Sequence, residues 1–320
     1  MRFRLWINIA FLLSLISLDV HSQGWSSPVV CWNVENYFDI YDNPDTSDDE
    51  FTPLGEKNWN KRRFEHKRNS IAKTIISVKD HYGDYPFLVG LVEVENSYVL
   101  KELLTDTPLS KLGYNYLHKD SHDPRGIECG LLYIEEKFAP IEVRNIEVER
   151  VYPDKPIRHI LYTKGIEKGS GDTLHILVNH WSSKYGGAEK PAPNRNASAL
   201  RVVRFVDSLS TSQDTPPKVI IMGDFNDTCG SGPMEILNLS KEPLINLSEG
   251  LAQKEKGTIK YKGIWELIDH FVVTTPLSQM CMDIFSPDFL LEDDTQYLSS
   301  KPSSKLDKYD QEYFKTNSVV

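Results

Sequence analysis

An apolar run in the second half of the chain ends in side chains that could bind a cation or a water molecule. Residues 219–222 are Val-Ile-Ile-Met, and after Gly223 the chain places Asp224, Asn226 and Asp227 within four residues. Four consecutive apolar residues predict a strand buried on both faces. Carboxylate and carboxamide oxygens at the end of a rigid strand suit a hard cation or an attacking water. An ordinary Asp- and Asn-rich turn is the alternative, and this run alone does not decide between them.

Four more apolar runs end in acid, amide or imidazole groups. The end residues are Asn33 after 29–32, Glu93 after 88–92, His180 shortly after 176–178, and Asp269 after 265–268. The recurrence at five places weakens the interpretation as ordinary turns. We therefore expect the strand ends to gather these side chains into one site.

The first 22 residues have the organisation of a signal peptide. Arg2 and Arg4 form a positive start, residues 5–18 are apolar, and residues 20–22 have the spacing of a cleavage site. The apolar run is too short to span a membrane and is followed by polar residues. We predict cleavage before Gln23 and an exported protein, periplasmic or extracellular, with no membrane anchor after cleavage.

Charge and length limit the kind of partner and the number of domains. The 320-residue chain has a net charge of −10, and loss of residues 1–22, with two Arg and one Asp, makes it −11. This net negative charge argues against an extended basic surface that binds nucleic acid. A bound cation can nevertheless make the local electrostatic potential positive and so attract a phosphate substrate. We expect a monomer with one domain over 23–301 and an atypical polar tail over 302–320.

Hydrophobic periodicity predicts strands interleaved with amphipathic helices, the pattern of an α/β protein. Helices are predicted over 60–80 and 192–210, and Ser97 is predicted to cap a short third helix. Predicted strands include 128–134 and a hairpin formed by 157–164 and 174–180. Cys31 and Cys129 lie in apolar runs and are predicted to be free and buried. The four Cys show no C-x-x-C spacing, so no zinc site is expected.

Six short motifs follow one another along the chain. They are Trp32-Asn33-Val34, Val92-Glu93-Val94, the run from Arg125 to Tyr133, Asn179-His180-Trp181-Ser182-Ser183, Gly223-Asp224-Phe225-Asn226 and Ile268-Asp269-His270. In this order they resemble the endonuclease/exonuclease/phosphatase superfamily, the deoxyribonuclease I-like fold, over most of the mature chain. Secreted bacterial members are the most similar. The resemblance implies an α/β (α+β) fold, a four-layer sandwich of two packed mixed β-sheets flanked by helices, with the site where strand ends converge.

The resemblance also implies hydrolysis of phosphate esters with Mg²⁺ or Mn²⁺, most readily by a phosphodiesterase of the nuclease type. Phosphate esters are anionic, so a divalent cation is needed to neutralise the leaving oxygen and orient the substrate. By the family pattern Asn33 and Glu93 would bind the metal, and Asp224 would position or deprotonate the water. Asn226 would hold the water or a phosphate oxygen, and His180 would donate to a phosphate oxygen. The implied partner is a phosphate-ester substrate, with nucleic acid one candidate.

Asp269 is the position where the sequence departs from the family. There the Asp accepts a hydrogen bond from a histidine of a final Ser-Asp-His motif, on a strand that completes one sheet. This sequence has no such motif and no His after His270. Three accounts are open: a truncated or frame-shifted last segment lacking the last core strand, which we favour; a catalytically inactive binding relative; or substitution by His270. The last is disfavoured, because adjacent strand residues point to opposite faces.

Overall fold

The structure, a computed structural model, describes residues 27–121, 123–152, 156–184, 192–252, 257–261 and 264–290. The predicted signal peptide (1–22) and the predicted tail (302–320) lie outside these residues. Within the described part, no helix combines the length and the apolar character needed to cross a membrane.

The described residues contain two sheets and a small separate hairpin. In chain order the strands are β1 (Val29–Tyr37), β2 (Leu88–Val94), β3 (Tyr114–His118), β4 (Glu128–Ile134), β5 (Phe138–Ile146), β6 (Ile160–Glu167), β7 (Thr173–His180), β8 (Lys218–Asp224), β9 (Leu244–Asn246), β10 (Ile259–Tyr261), β11 (Ile264–Glu266) and β12 (Asp269–Thr274). One sheet has the order β1-β2-β4-β3 and the other β5-β6-β7-β8-β12-β9, while β10 and β11 pair only with each other.

Both sheets are mixed. In the four-stranded sheet β1 and β2 are parallel, and the other two pairs are antiparallel. In the six-stranded sheet β7 and β8 are the parallel pair, and β12 runs antiparallel to β8. Parallel neighbours end at the same edge, and an antiparallel neighbour begins there. The C-terminal ends of β7 and β8 therefore lie beside the start of β12.

Three apolar clusters hold the layers together. The helices are α1 (Lys61–Tyr82), α2 (Ser97–Thr105), α3 (Ala192–Thr211) and two single turns, α4 (Gly232–Glu235) and α5 (Glu249–Ala252). The side chains of α1 and α2 cover the outer face of the four-stranded sheet, and those of α3 cover the outer face of the six-stranded sheet. Val92 and Met222 belong to the cluster between the sheets, where each fully buried side chain of this size contributes about 1.5–3 kcal/mol. The predicted four-layer sandwich is confirmed.

The ends of the helices follow from local side chains, with one correction. Asn60 Oδ1 accepts the backbone N–H of Arg63 at the start of α1, and Gly83 ends the helix with φ +85°. The prediction that Ser97 caps α2 is wrong. Asn96 is the cap, because its Oδ1 accepts the N–H groups of both Tyr98 and Val99, and Ser97 is the first helical residue.

The strand predicted over 265–268 is also placed differently. Residues 264–266 form only the short β11, and the long core strand begins at Asp269 and continues to Thr274. The segment Phe271-Val272-Val273 is as apolar as the run before Asp269, and its pairing with β8 decided which segment enters the sheet. Asp269 therefore begins a strand rather than ending one.

The cysteines are free, as predicted for the two in the core. Cys31 and Cys129 are buried, Cys229 is half-buried and Cys281 is exposed. Cys31 contributes to the cluster between the sheets, where a free thiol packs as a small apolar group.

Candidate active site

Strand register brings the predicted residues of the six-stranded sheet to one edge. His180, the last residue of β7, lies beside Asp224, the last residue of β8. Asp224 in turn lies opposite Asp269, the first residue of β12. In the other sheet Asn33 of β1 pairs with Val92 of β2, directly before Glu93.

Hydrogen bonds then join the two sheets at this edge. The Asn33 Nδ2 group donates to Asp224 Oδ2 at 2.9 Å and to Glu93 Oε1 at 3.3 Å. The same Glu93 oxygen lies 3.7 Å from His180 Nε2. Four residues predicted from separate motifs thus form one connected group.

Left-handed backbone conformations at the strand ends orient the side chains of this site. Glu93 has φ +63° and sits where the register of β2 shifts between Val92 and Val94. Glu35 and Asn36 have φ +52° and +56° at the corresponding shift in β1. A bulge redirects a side chain that would otherwise follow the alternation of the strand. The left-handed conformation costs a non-Gly residue about 1–3 kcal/mol, and such strain concentrates at functional sites.

Asp224 is buried and held on both oxygens. Oδ2 accepts from Asn33, and Oδ1 accepts the backbone N–H of Asn226 at 2.8 Å. Burial raises the pKa of Asp224 to about 6, while the two hydrogen bonds act in the opposite direction. The Asn226 backbone reaches Asp224 through a left-handed turn at φ +50°. Its side-chain amide donates to the Trp181 carbonyl at 3.0 Å, so Asn226 ties the β7 and β8 ends together.

His180 is buried and stays neutral. Burial lowers its pKa well below the ordinary value, and the nearby charges of Arg158 and Arg125 lower it further. Arg158 Nη1 lies 3.5 Å from His180 Nε2, and Arg158 Nε forms an ion pair with Asp123 at 2.8 Å. The 3.7 Å approach of Glu93 is therefore a contact with a neutral ring. The His180 Nδ1 atom has no hydrogen-bond partner among the described residues.

Asp269 lies buried at the site, with the Thr258 side chain close to its carboxyl group. It is 1% exposed, and among the described residues neither carboxyl oxygen has a hydrogen bond of normal geometry. Burial raises its pKa well above the ordinary value, and the charge of Asp224 raises it further. His270 does not take the place of a partner. Its Nε2 lies 2.8 Å from the Asp227 carbonyl oxygen, on the other side of the strand, as the alternation of strand residues predicted.

An ion-pair cluster fixes the loops that follow β7 and β8. Asp227 accepts from Arg195 Nε at 2.8 Å and lies 3.2 Å from the Lys184 ammonium group. Arg195 also donates to the Ser182 carbonyl at 3.2 Å. Arg195 projects from α3 and is 2% exposed. One buried guanidinium group therefore connects the segments after His180 and Asp224.

Three site residues were not predicted from the sequence: Glu35, Lys67 and Arg158. Glu35 lies two residues after the strand-end residue Asn33. Lys67 lies three residues after Phe64 and four before Ile71, on the buried face of α1, and a lysine at such a position is a usable sequence signal. Burial lowers the pKa of Lys67, and the carboxylates of Glu35 and Glu93 act against that shift. For Arg158, on the segment before β6, we find no sequence signal.

The donor set at this edge fits a hard divalent cation. Glu93 supplies a carboxylate, and Mg²⁺ needs only one or two such ligands because it keeps several waters. Asn33 would add its carboxamide oxygen, which accepts the Glu35 backbone N–H at 2.9 Å and keeps a second lone pair for a cation. The Asn36 N–H donates to Glu93 Oε2 at 2.9 Å and fixes the carboxylate. A different group, Asp42, Asp48 and Asp49, has carboxylate oxygens within 4.8 Å of one another in the loop after β1. Two of its three members are exposed, and exposed acidic groups are common without an ion.

Solved structures share this fold at low sequence identity. The human Nocturnin catalytic domain, solved with a bound sulfate anion, is 17% identical, with a TM-score of 0.54 over 78% of this chain and 82% of that one. Truncated TDP2 from Caenorhabditis elegans is 15% identical, with a TM-score of 0.52 over 77% and 82%. A second TDP2 structure from that organism is 13% identical, with a TM-score of 0.55 over 80% and 67%. At this identity the likeness concerns the fold alone.

Sequence comparison identifies the family. No curated protein matches the chain. A family model described as "Endonuclease/Exonuclease/phosphatase family" matches residues 28–304, which spans every strand and helix described above. The two packed mixed sheets agree with this match, and the chain belongs to the endonuclease/exonuclease/phosphatase family.

Proposed function

We propose that the chain is a divalent-metal-dependent hydrolase of phosphate esters and, within that class, a phosphodiesterase of the nuclease type. The observation that carries the proposal is the bridge that Asn33 makes between the Glu93 and Asp224 carboxylates. It sets a candidate metal ligand beside a candidate base on the scaffold of a family of phosphoesterases. Metal-assisted attack of water on an anionic ester needs both groups.

Glu93 and Asn33 would hold the cation. When bound, Mg²⁺ or Mn²⁺ would neutralise charge on the phosphate and orient the ester. The Asn36 N–H orients the Glu93 carboxylate in advance. The left-handed backbone at Glu93 and Asn36 supports the same assignment, because strained residues persist where the surrounding structure fixes them for function.

Asp224 would orient and deprotonate the attacking water. Hydrogen bonds from Asn33 and Asn226 hold both carboxylate oxygens, so the group keeps one orientation. Its pKa of about 6 leaves it mostly ionised at neutral pH and still basic enough to accept a proton. Asn226 would act mainly through this backbone contact, since its side chain is bonded to the Trp181 carbonyl.

His180 and Arg158 would stabilise negative charge that develops on the phosphate oxygens. A neutral imidazole donates one N–H, and the guanidinium group 3.5 Å away carries a permanent positive charge. The low pKa of His180 argues against a role as a positively charged acid. In this proposal His180 donates the hydrogen bond and Arg158 supplies the compensating positive charge.

A second candidate function is a binding protein that has lost catalysis. The observation that favours it is Asp269, whose buried carboxyl oxygens have no hydrogen bond of normal geometry among the described residues. In the family this group orients a histidine, and no histidine of the described residues takes that place. On this account the chain would bind a divalent cation and a phosphate group without turning over an ester.

One assay separates these candidates. Purified protein is incubated with bis(4-nitrophenyl) phosphate and Mg²⁺ or Mn²⁺, and nitrophenolate release is followed with and without chelator. Metal-dependent hydrolysis that falls about 10²–10⁴-fold in Asp224→Asn supports the phosphodiesterase. Asp214→Asn, at an exposed turn, is the matched control. Calorimetric binding of Mn²⁺ and inorganic phosphate without any hydrolysis would instead support the binding protein, and hydrolysis that survives chelator would contradict both.

The proposal also requires the substrate class to be identified, that is, which alcohol groups are esterified to the phosphate. DNA, RNA and a phospholipid head group all present a phosphodiester, whereas a sugar phosphate presents only a monoester and fits the broader class of phosphate-ester hydrolase. The net charge of −10 disfavours long polyanions, which bind largely by charge. Comparing a short DNA duplex, single-stranded RNA and glycerophosphocholine under identical metal conditions assigns the class by relative kcat/KM.

A further inference from the structure

Arg125 begins the motif that runs to Tyr133, and the proposed function gives it no role. The turn that carries it leads into β4. Glu128, the first residue of that strand, pairs with Val94, directly after Glu93. Arg125 therefore lies at the same edge of the four-stranded sheet as the candidate metal ligand.

Hydrogen bonds within the turn and to a neighbouring loop fix the backbone at Arg125. Its own N–H donates to Asp123 Oδ1 at 2.8 Å, and the Gly126 N–H donates to the Asp123 carbonyl oxygen at 2.9 Å. The Pro124 carbonyl oxygen accepts the N–H of Ser47, in the loop after β1, at 2.7 Å. The guanidinium group of Arg125 is therefore presented from a fixed turn.

Two hydrogen bonds join the Arg125 side chain to the candidate metal ligand. The Nη2 group of Arg125 donates to Asn36 Oδ1 at 2.7 Å. The backbone N–H of the same asparagine donates to Glu93 Oε2 at 2.9 Å. A single residue, Asn36, therefore stands between the guanidinium group and the carboxylate that would hold the cation.

A second series of contacts returns to Arg125 from the other side. Glu93 Oε1 lies 3.7 Å from His180 Nε2, and that ring nitrogen lies 3.5 Å from Arg158 Nη1. Arg158 Nε pairs with Asp123 Oδ2 at 2.8 Å, and the other oxygen of Asp123 accepts the Arg125 N–H. The contacts close into a ring that passes through Glu93, His180 and both arginines.

The two guanidinium groups of this ring differ in exposure and in charge compensation. The Arg158 side chain is largely buried and forms an ion pair with Asp123. Arg125 is exposed, its side chain donates to the neutral amide of Asn36, and among the described residues no carboxylate forms an ion pair with it. A guanidinium group has five N–H donors, so Arg125 keeps donors and a full positive charge for an anion that arrives from solvent.

We propose that Arg125 binds a second phosphate group of the substrate, carried by one of the alcohol groups of the scissile ester. In the proposed function the scissile phosphate already has the cation, His180 and Arg158, and Asn36 sets Arg125 apart from them. Guanidinium groups recognise phosphate oxygens through paired N–H donors.

The inference rests on the proposed function and narrows its substrate class to a diester with a neighbouring phosphate. The net charge of −10 is compatible with such a substrate, because one contact of this kind needs no extended basic surface.

The test compares diesters that differ only in the second phosphate. Thymidylyl-thymidine, a dinucleotide with one phosphodiester, is used without and with a terminal phosphate at its 5′ or 3′ end. Glycerophosphoinositol without and with a ring phosphate forms a second series, which decides whether the neighbouring phosphate belongs to a nucleotide or to a polyol. Bis(4-nitrophenyl) phosphate, which has no second phosphate, is the substrate control.

The kcat and KM of each substrate are measured with Mg²⁺ for the unmodified chain, Arg125→Gln and Arg125→Lys. Arg204→Gln is the matched control, because this arginine is exposed on α3 and the change in net charge is the same.

Arg125→Gln should raise the KM of the phosphorylated substrate roughly tenfold, as expected for loss of a hydrogen bond between charged groups. Its kcat should stay unchanged, because a contact away from the reacting atoms contributes to binding alone. Substrates without the second phosphate should be unaffected. Arg125→Lys should be intermediate, since it keeps the charge and loses the paired donors, and Arg204→Gln should behave as the unmodified chain.

Three results would overturn the inference. An equal rise in KM for all substrates would place Arg125 on the scissile phosphate. A fall in kcat alone would show that Arg125 only orients Glu93 through Asn36. Unchanged kinetics with the phosphorylated member of both series would show that Arg125 binds no part of the substrate.

Failure of the proposed function is recognised separately. If the unmodified chain hydrolyses none of these esters, the phosphodiesterase is refuted, and calorimetric binding of the same ligand pairs with Mn²⁺ tests the inference. The second phosphate should then strengthen binding roughly tenfold in the unmodified chain and not in Arg125→Gln. Equal affinities within every pair would refute the inference as well.

Discussion

Asp224 and Asp269 lie directly opposite each other on neighbouring antiparallel strands, at 4% and 1% exposure. Burial raises the pKa of Asp224 to about 6, and burial together with the Asp224 charge raises the pKa of Asp269 well above its ordinary value. Two buried carboxyl groups facing each other cannot both ionise without cost. Two hydrogen bonds of normal geometry stabilise the Asp224 charge. Asp269 has only the weaker influence of the Thr258 side chain and no hydrogen bond of normal geometry among the described residues, so Asp224 is the one that ionises.

Asp269→Asn should therefore stabilise the metal-free protein. The substitution keeps the shape and removes a buried ionisable group that has no hydrogen bond of normal geometry among the described residues. We expect this to raise the free energy of unfolding by about 1–2 kcal/mol. Urea unfolding at pH 7.5 with chelator present measures the change.

Asp227→Asn is the contrasting control, because this equally buried carboxylate is paired with Arg195 and Lys184. Its loss leaves a buried guanidinium group uncompensated and should cost about 3–5 kcal/mol. Equal destabilisation by the two substitutions would show that Asp269 has a partner as good as that of Asp227.

His180→Gln should lower kcat in the diester assay by about 10²–10⁴-fold with little change in metal affinity. The imidazole supplies a hydrogen-bond donor to the phosphate in our proposal, and it is not among the assigned metal ligands. His81→Gln, on the exposed end of α1, should leave kcat unchanged. Loss of Mn²⁺ binding in His180→Gln would reassign the residue to the metal.

Glu93→Gln should abolish the calorimetric signal of Mn²⁺ binding, because the carboxylate is the only charged group in the assigned ligand pair. Asp49→Asn tests the acidic loop after β1, whose three carboxylates approach one another without forming part of the Asn33 network. We expect Asp49→Asn to bind Mn²⁺ normally. The reverse pattern would move the metal site to the loop.

Glu128→Gln should make stability less dependent on pH. Burial raises the pKa of Glu128 from 4.5 to about 7, although Ser121 donates to it twice. Between these values the folded state binds more protons than the unfolded one, so stability falls as pH rises from 4.5 to 7 and is constant above. The glutamine variant should match the unmodified chain at pH 4.5 and exceed it by about 3 kcal/mol at pH 8. Thermal unfolding across this range checks it, and a constant difference between the two proteins would show that Glu128 is not the titrating group.

The sequence by itself determined most of the secondary structure and the identity of the strand-end residues. Unbroken apolar runs of three to five residues specify strands buried on both faces, and β2, β7 and β8 are found where those runs predicted them. The 3.6-residue periodicity specified α1 and α3 within two residues at each end. These signals are local, because a residue's polarity and its spacing from its neighbours are readable without knowing what packs against it.

Tertiary structure decided which segment forms β12 and where the side chain of its first residue, Asp269, lies. The apolar segments on both sides of Asp269 are equal candidates for a strand, and only pairing with β8 chose the second. The contact between Asn33 and Asp224 joins residues 191 positions apart, and the left-handed turn at Glu93 arises from a bulge between two neighbouring strands. Lys67 lies near the site because α1 packs against the four-stranded sheet. Arg158 lies there because of the packing of the segment before β6. Register, bulges and the desolvation that shifts a pKa all depend on groups far away in the chain, and local sequence pattern does not record which of those groups will become neighbours.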